Sequence, residues 1–298
     1  MTIALGFQDW MKEVQSTMED ALASLLPPAS QDPARLHEAM RYAALDGGKR
    51  VRPLLVFAAG ELFDADPAVL ARAGAAVEMI HAYSLVHDDM PCMDDDALRR
   101  GKPTVHVKYD EATALLVGDA LQSQAFIVLS EGAVDDAARR LDMLRLLARA
   151  SGSVGMCGGQ AIDLASVGLP LSLVELENMH RLKTGALLHA SVLLGALAGK
   201  RVTHEETESL EAYSAAIGLA FQVVDDVLDA TADSATLGKT AGKDAADNKP
   251  TYVSILGLEE SRALAERLRN DAHRALIPFG DKARRLRELA DLIVQRKA

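Results

Sequence analysis

Apolar residues recur at helical spacing along almost the whole chain. Residues 7–26, 33–45, 52–64, 67–90, 111–130, 134–150, 171–199, 203–230 and 258–275 carry them at three- and four-residue intervals. That is the period of a helix with one face turned toward a core. The breaks carry helix-stopping punctuation: "LPP" at 26–28, "DGG" at 46–48 and "VGLP" at 167–170. No strand-like alternation, short repeat or linker interrupts the series. The pattern predicts an all-α fold and one domain over residues 1–298. The polar stretch "TADSATLGKTAGKDAADNKP", residues 231–250, reads as a long loop, a kind that is usually functional or disordered.

Composition supports the helical reading. Apolar residues make up 49% and aromatics only 4%, and the abundant Ala and Leu are helix formers. A net charge of −11 argues against bulk nucleic-acid binding. Cys92 and Cys157 are the only cysteines, so there is no disulfide framework and no zinc quartet. No basic region precedes an apolar stretch at the N-terminus. No uninterrupted apolar run reaches the ~18–20 residues of a membrane span. These features predict a cytoplasmic protein without a membrane span.

The chemistry concentrates at two helix ends. "HDDMPCMDDD", residues 87–96, follows the apolar run "AGAAVEMIHAYSLV". Pro91 disfavours helix beyond Asp89, and the turn could carry Asp94 back toward Asp88. His81, Ser84 and Asp88 share one helical stripe. "AFQVVDDVLDA", residues 220–230, ends a second apolar helix with Asp225, Asp226 and Asp229. Asp225 and Asp229 share a face, joined by Gln222. One acidic cluster is most simply a solvated face, but two closing apolar helices are more telling. Carboxylates without His or Cys partners suit Mg²⁺, which completes its shell with water and substrate phosphates. Cations stand nearby in sequence: Lys49, Arg50 and Arg52; Arg99, Arg100 and Lys102; Lys183 beside Thr184; Lys239 and Lys243. Each alone reads as a solvated basic face. Lys183 does not, because the segment after it is strongly apolar. The "GKT" at 238–240 is not a P-loop, because Asp233 stands where the earlier glycine belongs.

"GGKRVRP", "SLVHDDMPCMDDDALRRGKPT", "GQAIDL", "KTG", "FQVVDDVLD", "GKTAGKD" and "KPTYVSILG" stand in order over residues 40–256. Together they resemble the trans-isoprenyl diphosphate synthases, bacterial short-chain type. The resemblance implies a helical bundle around a deep central cavity, usually a homodimer. It implies condensation of isopentenyl diphosphate with dimethylallyl and geranyl diphosphate. Three Mg²⁺ are then expected, with Asp88 and Asp94 on one side, Asp225 on the other, and Asp89 and Asp229 in support. Arg99, Lys183 and Lys239 would bind the allylic diphosphate. Lys49, Arg52, His81 and Arg100 would hold isopentenyl diphosphate. Thr184 and Gln222 would present oxygen dipoles to a developing cation. Gln160 and Asp163 would serve supporting hydrogen bonds. Residues 231–249 would form a lid that orders on diphosphate binding.

The first motif has the DDx₄D form, and Ser84 and Tyr83 precede it. In that family a bulky aromatic here goes with a C15 product, farnesyl diphosphate. C10 or C20 products are the neighbouring alternatives, and a core aromatic without a gating role is the plain one. Three other readings fit less of the chain. An HD-type phosphohydrolase would use His87, Asp88 and His81, but leaves "GGKRVRP" and the second cluster unexplained. A terpene cyclase normally has an Asn/Ser/Glu second motif. A non-catalytic partner subunit usually lacks aspartates from one motif.

Overall fold

A computed structural model describes residues 5–131, 134, 136–231 and 250–296. Lys239, Lys243 and the expected lid lie outside the described residues. The chain is helical almost throughout, as the periodicity predicts. The helices are α1 (Phe7–Leu25), α2 (Ala34–Ala44), α3 (Val51–Glu61), α4 (Pro67–Asp88), α5 (Val105–Lys108), α6 (Glu111–Ser130), α7 (Ala137–Ser151), α8 (Met156–Ala165), α9 (Leu173–His180), α10 (Ala186–Gly199), α11 (His204–Thr231), α12 (Tyr252–Leu256), α13 (Leu258–Ala275) and α14 (Arg284–Gln295).

Helix α4 lies at the centre, packed by α6, α3, α10 and α1. Its start is set by Asp66, whose carboxylate accepts the Ala68 N–H at 2.8 Å, and by a proline in the first turn. It buries residues on every side, from Val69 to Val86. Such all-round burial is expected of a helix enclosed by others. Helix α11 packs on α13, α10 and α14. A smaller core of Leu176, Met179, Val223, Val224, Tyr252 and Ala265 sits at its C-terminal half.

The structure departs from the sequence pattern in several places. The stretch 171–199 is not one α-helix: a π-helical turn, Arg181–Gly185, separates α9 from α10. Apolar periodicity does not register one inserted residue, and such turns cluster at functional sites. Helix α8 went unread because Gly158 and Gly159 lower its propensity. Helix α14 does carry a legible stripe, Leu286, Leu289, Ala290 and Ile293. A two-residue hairpin pairs Leu98 with Pro103 and Arg99 with Lys102. Its turn puts Arg100 and Gly101 at positive φ, 52° and 75°.

No uninterrupted apolar run reaches spanning length, but among the described residues three helical stretches qualify by length and composition alone. Pro67–Asp88, Glu111–Ser130 and Leu173–Gly199 are long and apolar enough by composition. The uninterrupted-run criterion missed them because a few polar residues punctuate each. In the first and third, 72% and 61% of the apolar window is buried inside the protein, and in α6 only 39%.

Candidate active site

The loop after α4 folds back on the helix that precedes it. Asp94 N–H donates to Asp88 O at 2.8 Å, and Asp96 N–H donates to Asp89 O at 3.2 Å. This carries Asp94 toward Asp88, as expected from Pro91. Asp88 faces the cavity, and burial raises its pKa to about 6. Lys183 and Arg99 partly offset that rise, while Asp94 and Asp89 add to it. Asp89 turns the other way. It is 3% exposed, and Arg99 grips both its oxygens, at 2.9 Å from Nε and 2.6 Å from a terminal nitrogen. Such a two-pronged bond fixes the guanidinium plane.

The second cluster divides its work similarly. Asp226 is buried and accepts the Tyr252 N–H at 2.8 Å, tying the start of α12 to α11. Asp229 is buried one turn on. Asp225 pairs with Arg296 at 2.7 Å. The same guanidinium donates to Phe221 O at 2.7 Å and lies 3.9 Å over the Phe221 ring.

The π-helical turn delivers Lys183 and Thr184 between these clusters. Lys183 Nζ donates to Asp163 of α8 at 2.5 Å. Thr184 Oγ1 donates to Gln222 Oε1 at 3.0 Å. Gly159 makes this approach possible, since a Cβ there would fall 2.1 Å from Lys183 N. Behind Lys183 lies a polar pocket of about 100 Å³ shared by Asp163, His180, Gln222 and Asp226. His180 stacks on Tyr252 with 5.6 Å between centroids, and neither ring nitrogen finds a partner among the described residues. Burial first, then Lys183, lowers its pKa to about 4 against the pull of Asp163.

A cationic group stands across from the aspartates. The turn at Gly47 and Gly48 presses its backbone on the Arg100 guanidinium; a Cβ at either glycine would come within 2.6 Å of it. Arg50, by contrast, is structural: it is buried and paired with Glu19 at 2.6 Å and Glu78 at 3.7 Å. Burial lowers the pKa of Arg52, with Arg100 acting in the same sense and Glu78 and Asp225 opposing. Arg52 Nε is buried without a partner among the described residues. Lys49 is lowered by burial and by Arg296. His81 is held well below the ordinary range by burial and by Arg52, Arg100, Arg99 and Arg50. It is therefore a neutral imidazole among guanidiniums.

Part of this set opens on a cavity of about 580 Å³, lined among others by Arg52, His81, Asp88, Lys183, Thr184, Ser84 and Tyr83. That size suits a small-molecule ligand. Ser84 Oγ donates to His81 O at 2.9 Å, leaving its small side chain against the cavity. His87 turns to α6, with Nε2 3.1 Å from Leu115 O, an arrangement that does not serve an HD-type metal pair. Asp163 makes the supporting hydrogen bond expected of it, with Lys183 as the donor, whereas nothing in the sequence singles out Arg296. Only proximity in space reveals the arginine.

The donor set fits Mg²⁺. Asp88, Asp94 and Asp225 offer oxygen only, the donor type that hard divalent cations prefer. Among the described residues, no three His, Cys, Asp or Glu side chains form a closed metal cluster. An ion that keeps water and substrate phosphate in its shell does not need one.

Comparison with known proteins agrees with this geometry. The chain is 52% identical over 284 residues to the "Probable farnesyl diphosphate synthase" of Bradyrhizobium diazoefficiens, covering 94% of this chain and 85% of that one. An apo crystal structure of an FPP/GFPP synthase from Zymomonas mobilis superposes with a TM-score of 0.88 at 45% identity, over 97% of this chain and 98% of that one. The geranyltransferase of Helicobacter pylori, solved with magnesium and isoprenyl diphosphate, gives 0.84 at 32% identity, over 98% of each chain. The polyprenyl synthetase model matches residues 33–276, and the chain belongs to the polyprenyl synthetase family.

Proposed function

We propose that the protein is a Mg²⁺-dependent prenyltransferase that joins isopentenyl diphosphate head to tail with dimethylallyl and then geranyl diphosphate, releasing farnesyl diphosphate. One observation carries the reading. Asp88, Arg52, His81, Lys183 and Thr184 line one cavity with an apolar body, and the second aspartate cluster adjoins it through Lys183, whose other side shares a polar pocket with Gln222 and Asp226.

The reading gives each residue a part. Asp88, Asp94 and Asp225 hold Mg²⁺, three ions in our reading, which supplies Lewis-acid stabilisation of the diphosphate as charge develops on it. Asp89 fixes Arg99, which with Lys183 and Lys239 binds the allylic diphosphate. Lys49, Arg52, Arg100 and neutral His81 bind isopentenyl diphosphate apart from the aspartates, so that this substrate keeps its C–O bond. Thr184 and Gln222 turn oxygen dipoles toward the carbon where positive charge appears. Asp163 orients Lys183, and Tyr83 bounds the chain's path. The released diphosphate takes the proton.

The protein acts as a cytoplasmic homodimer, with residues 1–298 as one domain. Leu116 and Ile127 of α6, 54% and 46% exposed, supply an apolar face for self-association. Light scattering on purified protein tests the dimer. Incubation with Mg²⁺, labelled isopentenyl diphosphate and each allylic starter, followed by chromatography, tests the chemistry. A C15 product is expected. Phosphate release from nucleotides without any isoprenoid product would overturn the reading.

A further inference from the structure

Three helices meet at Tyr83 on the wall of the cavity. From α4 comes Tyr83, 5% exposed, its ring edge-on to His87 at 5.8 Å. His87 is itself fixed against α6, where a Cβ on Gly118 would fall 1.9 Å from its ring nitrogen. Also from α6, Gln122 lies near enough to the Tyr83 hydroxyl to oppose the rise that burial gives its pKa. From α8, Cys157 brings Sγ to 3.6 Å from that same hydroxyl. Tyr83 and Cys157 both line the cavity, and the cysteine is open to it.

We propose that Cys157 is a specificity-determining residue: with Tyr83 it forms a two-sided stop for the growing chain, and their contact holds the ring across the path. The inference rests on the prenyltransferase reading above. A ring tethered only through α4 could swing aside on its two side-chain torsions. A ring tethered from α6 and α8 as well cannot do so without breaking those contacts. Cys157 also lines the path itself, so its volume sets how much room remains beside the ring.

Product length tests this. Tyr83→Ala should release mainly C20. Against that baseline, Cys157→Phe should shift the product toward C10. Cys157→Ala and Tyr83→Phe should each raise the C20 share several-fold. Because Cys157→Ala already removes the contact that Tyr83→Phe removes, the double variant should go no further than Cys157→Ala alone. If Cys157→Phe does not fold, alkylation of the native protein with iodoacetamide replaces it. Cys157 is followed separately from Cys92 by peptide mass spectrometry. Geranyl diphosphate with Mg²⁺ should slow Cys157 alkylation at least tenfold, and the adduct should favour C10. A C15 product from Tyr83→Ala overturns the floor and this inference with it. A C20 product from Tyr83→Ala, with C15 from the Cys157 variants and unslowed alkylation, overturns the inference alone. No isoprenoid product from the native protein overturns the underlying reading.

Discussion

Single carboxylates and imidazoles here sit where burial works against their charged forms. Asp88 is the clearest case: burial, together with Asp94 and Asp89, disfavours its ionisation despite Lys183 and Arg99. Its function and its stability therefore pull in opposite directions. Asp88→Ala should lower kcat by roughly 10²–10³-fold or more, the scale of losing one preorganised charge stabiliser. The same change should raise the melting temperature of the metal-free protein by about 2–4 °C. Asp225→Ala should match the loss of rate, and near-normal turnover there would sink the two-cluster reading. His180 gives a pH dependence. Its folded pKa, about 4, lies below the ordinary 6.5, so the unfolded chain takes the proton first. The stability it contributes is complete above about pH 6.5 and is lost as pH falls toward 4, on the order of 3 kcal/mol in all. His180→Phe keeps a ring to stack on Tyr252. Urea titrations from pH 7 to pH 4 should show a visibly flatter loss for that variant than for the native chain.

Helices place these residues with a precision that comes from close backbone approaches. Gly159 on α8 meets the π-helical turn so tightly that an added Cβ would lie 2.1 Å from Lys183 N and 2.4 Å from its Cα. Backbone cannot yield as a side-chain tip can, so Gly159→Ala should displace Lys183 and Thr184 together. A kcat loss of tenfold or more is expected with little change in helical circular dichroism, along with about 1–3 kcal/mol of destabilisation from overpacking. On α4, Ser84→Phe should shorten the product toward C10, read by chromatography. The course of α1 and α11 was legible because their apolar residues keep a helical period, and that of α4 and α6 because a long apolar stretch rich in Ala and Leu favours helix. The return of Asp94 was legible from Pro91. The π-helical turn was not, because one extra residue leaves the apolar stripe on either side intact. Nor was the split within each motif. Asp88 and Asp89 are adjacent and identical in type, yet one faces the cavity and the other the Arg99 fork. Only the direction in which each side chain leaves the helix end distinguishes them. Arg296 escaped because nothing local marks a residue 71 positions from its partner Asp225.

Across the whole molecule, α4 and α11 bring two distant acidic segments to two pockets that meet at Lys183, and the chain just past the C-terminal helix α14 reaches the second of them. The guanidinium on Asp225 sets up a competition. In the substrate-free protein, an arriving divalent ion must displace an arginine already bonded to that carboxylate and to Phe221 O. The apparent affinity is then the intrinsic one diminished by the fraction of molecules in which Arg296 has let go. Arg296→Ala should tighten Mg²⁺ binding to the substrate-free protein, by calorimetry, several-fold. Equal binding by the two proteins would mean that the arginine leaves at no cost. The native protein, mixed with substrates and metal at the same moment, should show a lag before steady turnover. Preincubation with metal should shorten that lag, and Arg296→Ala should abolish it. The order in which its ligands arrive thus becomes a kinetic property of the chain, set by one arginine beside a carboxylate it does not keep.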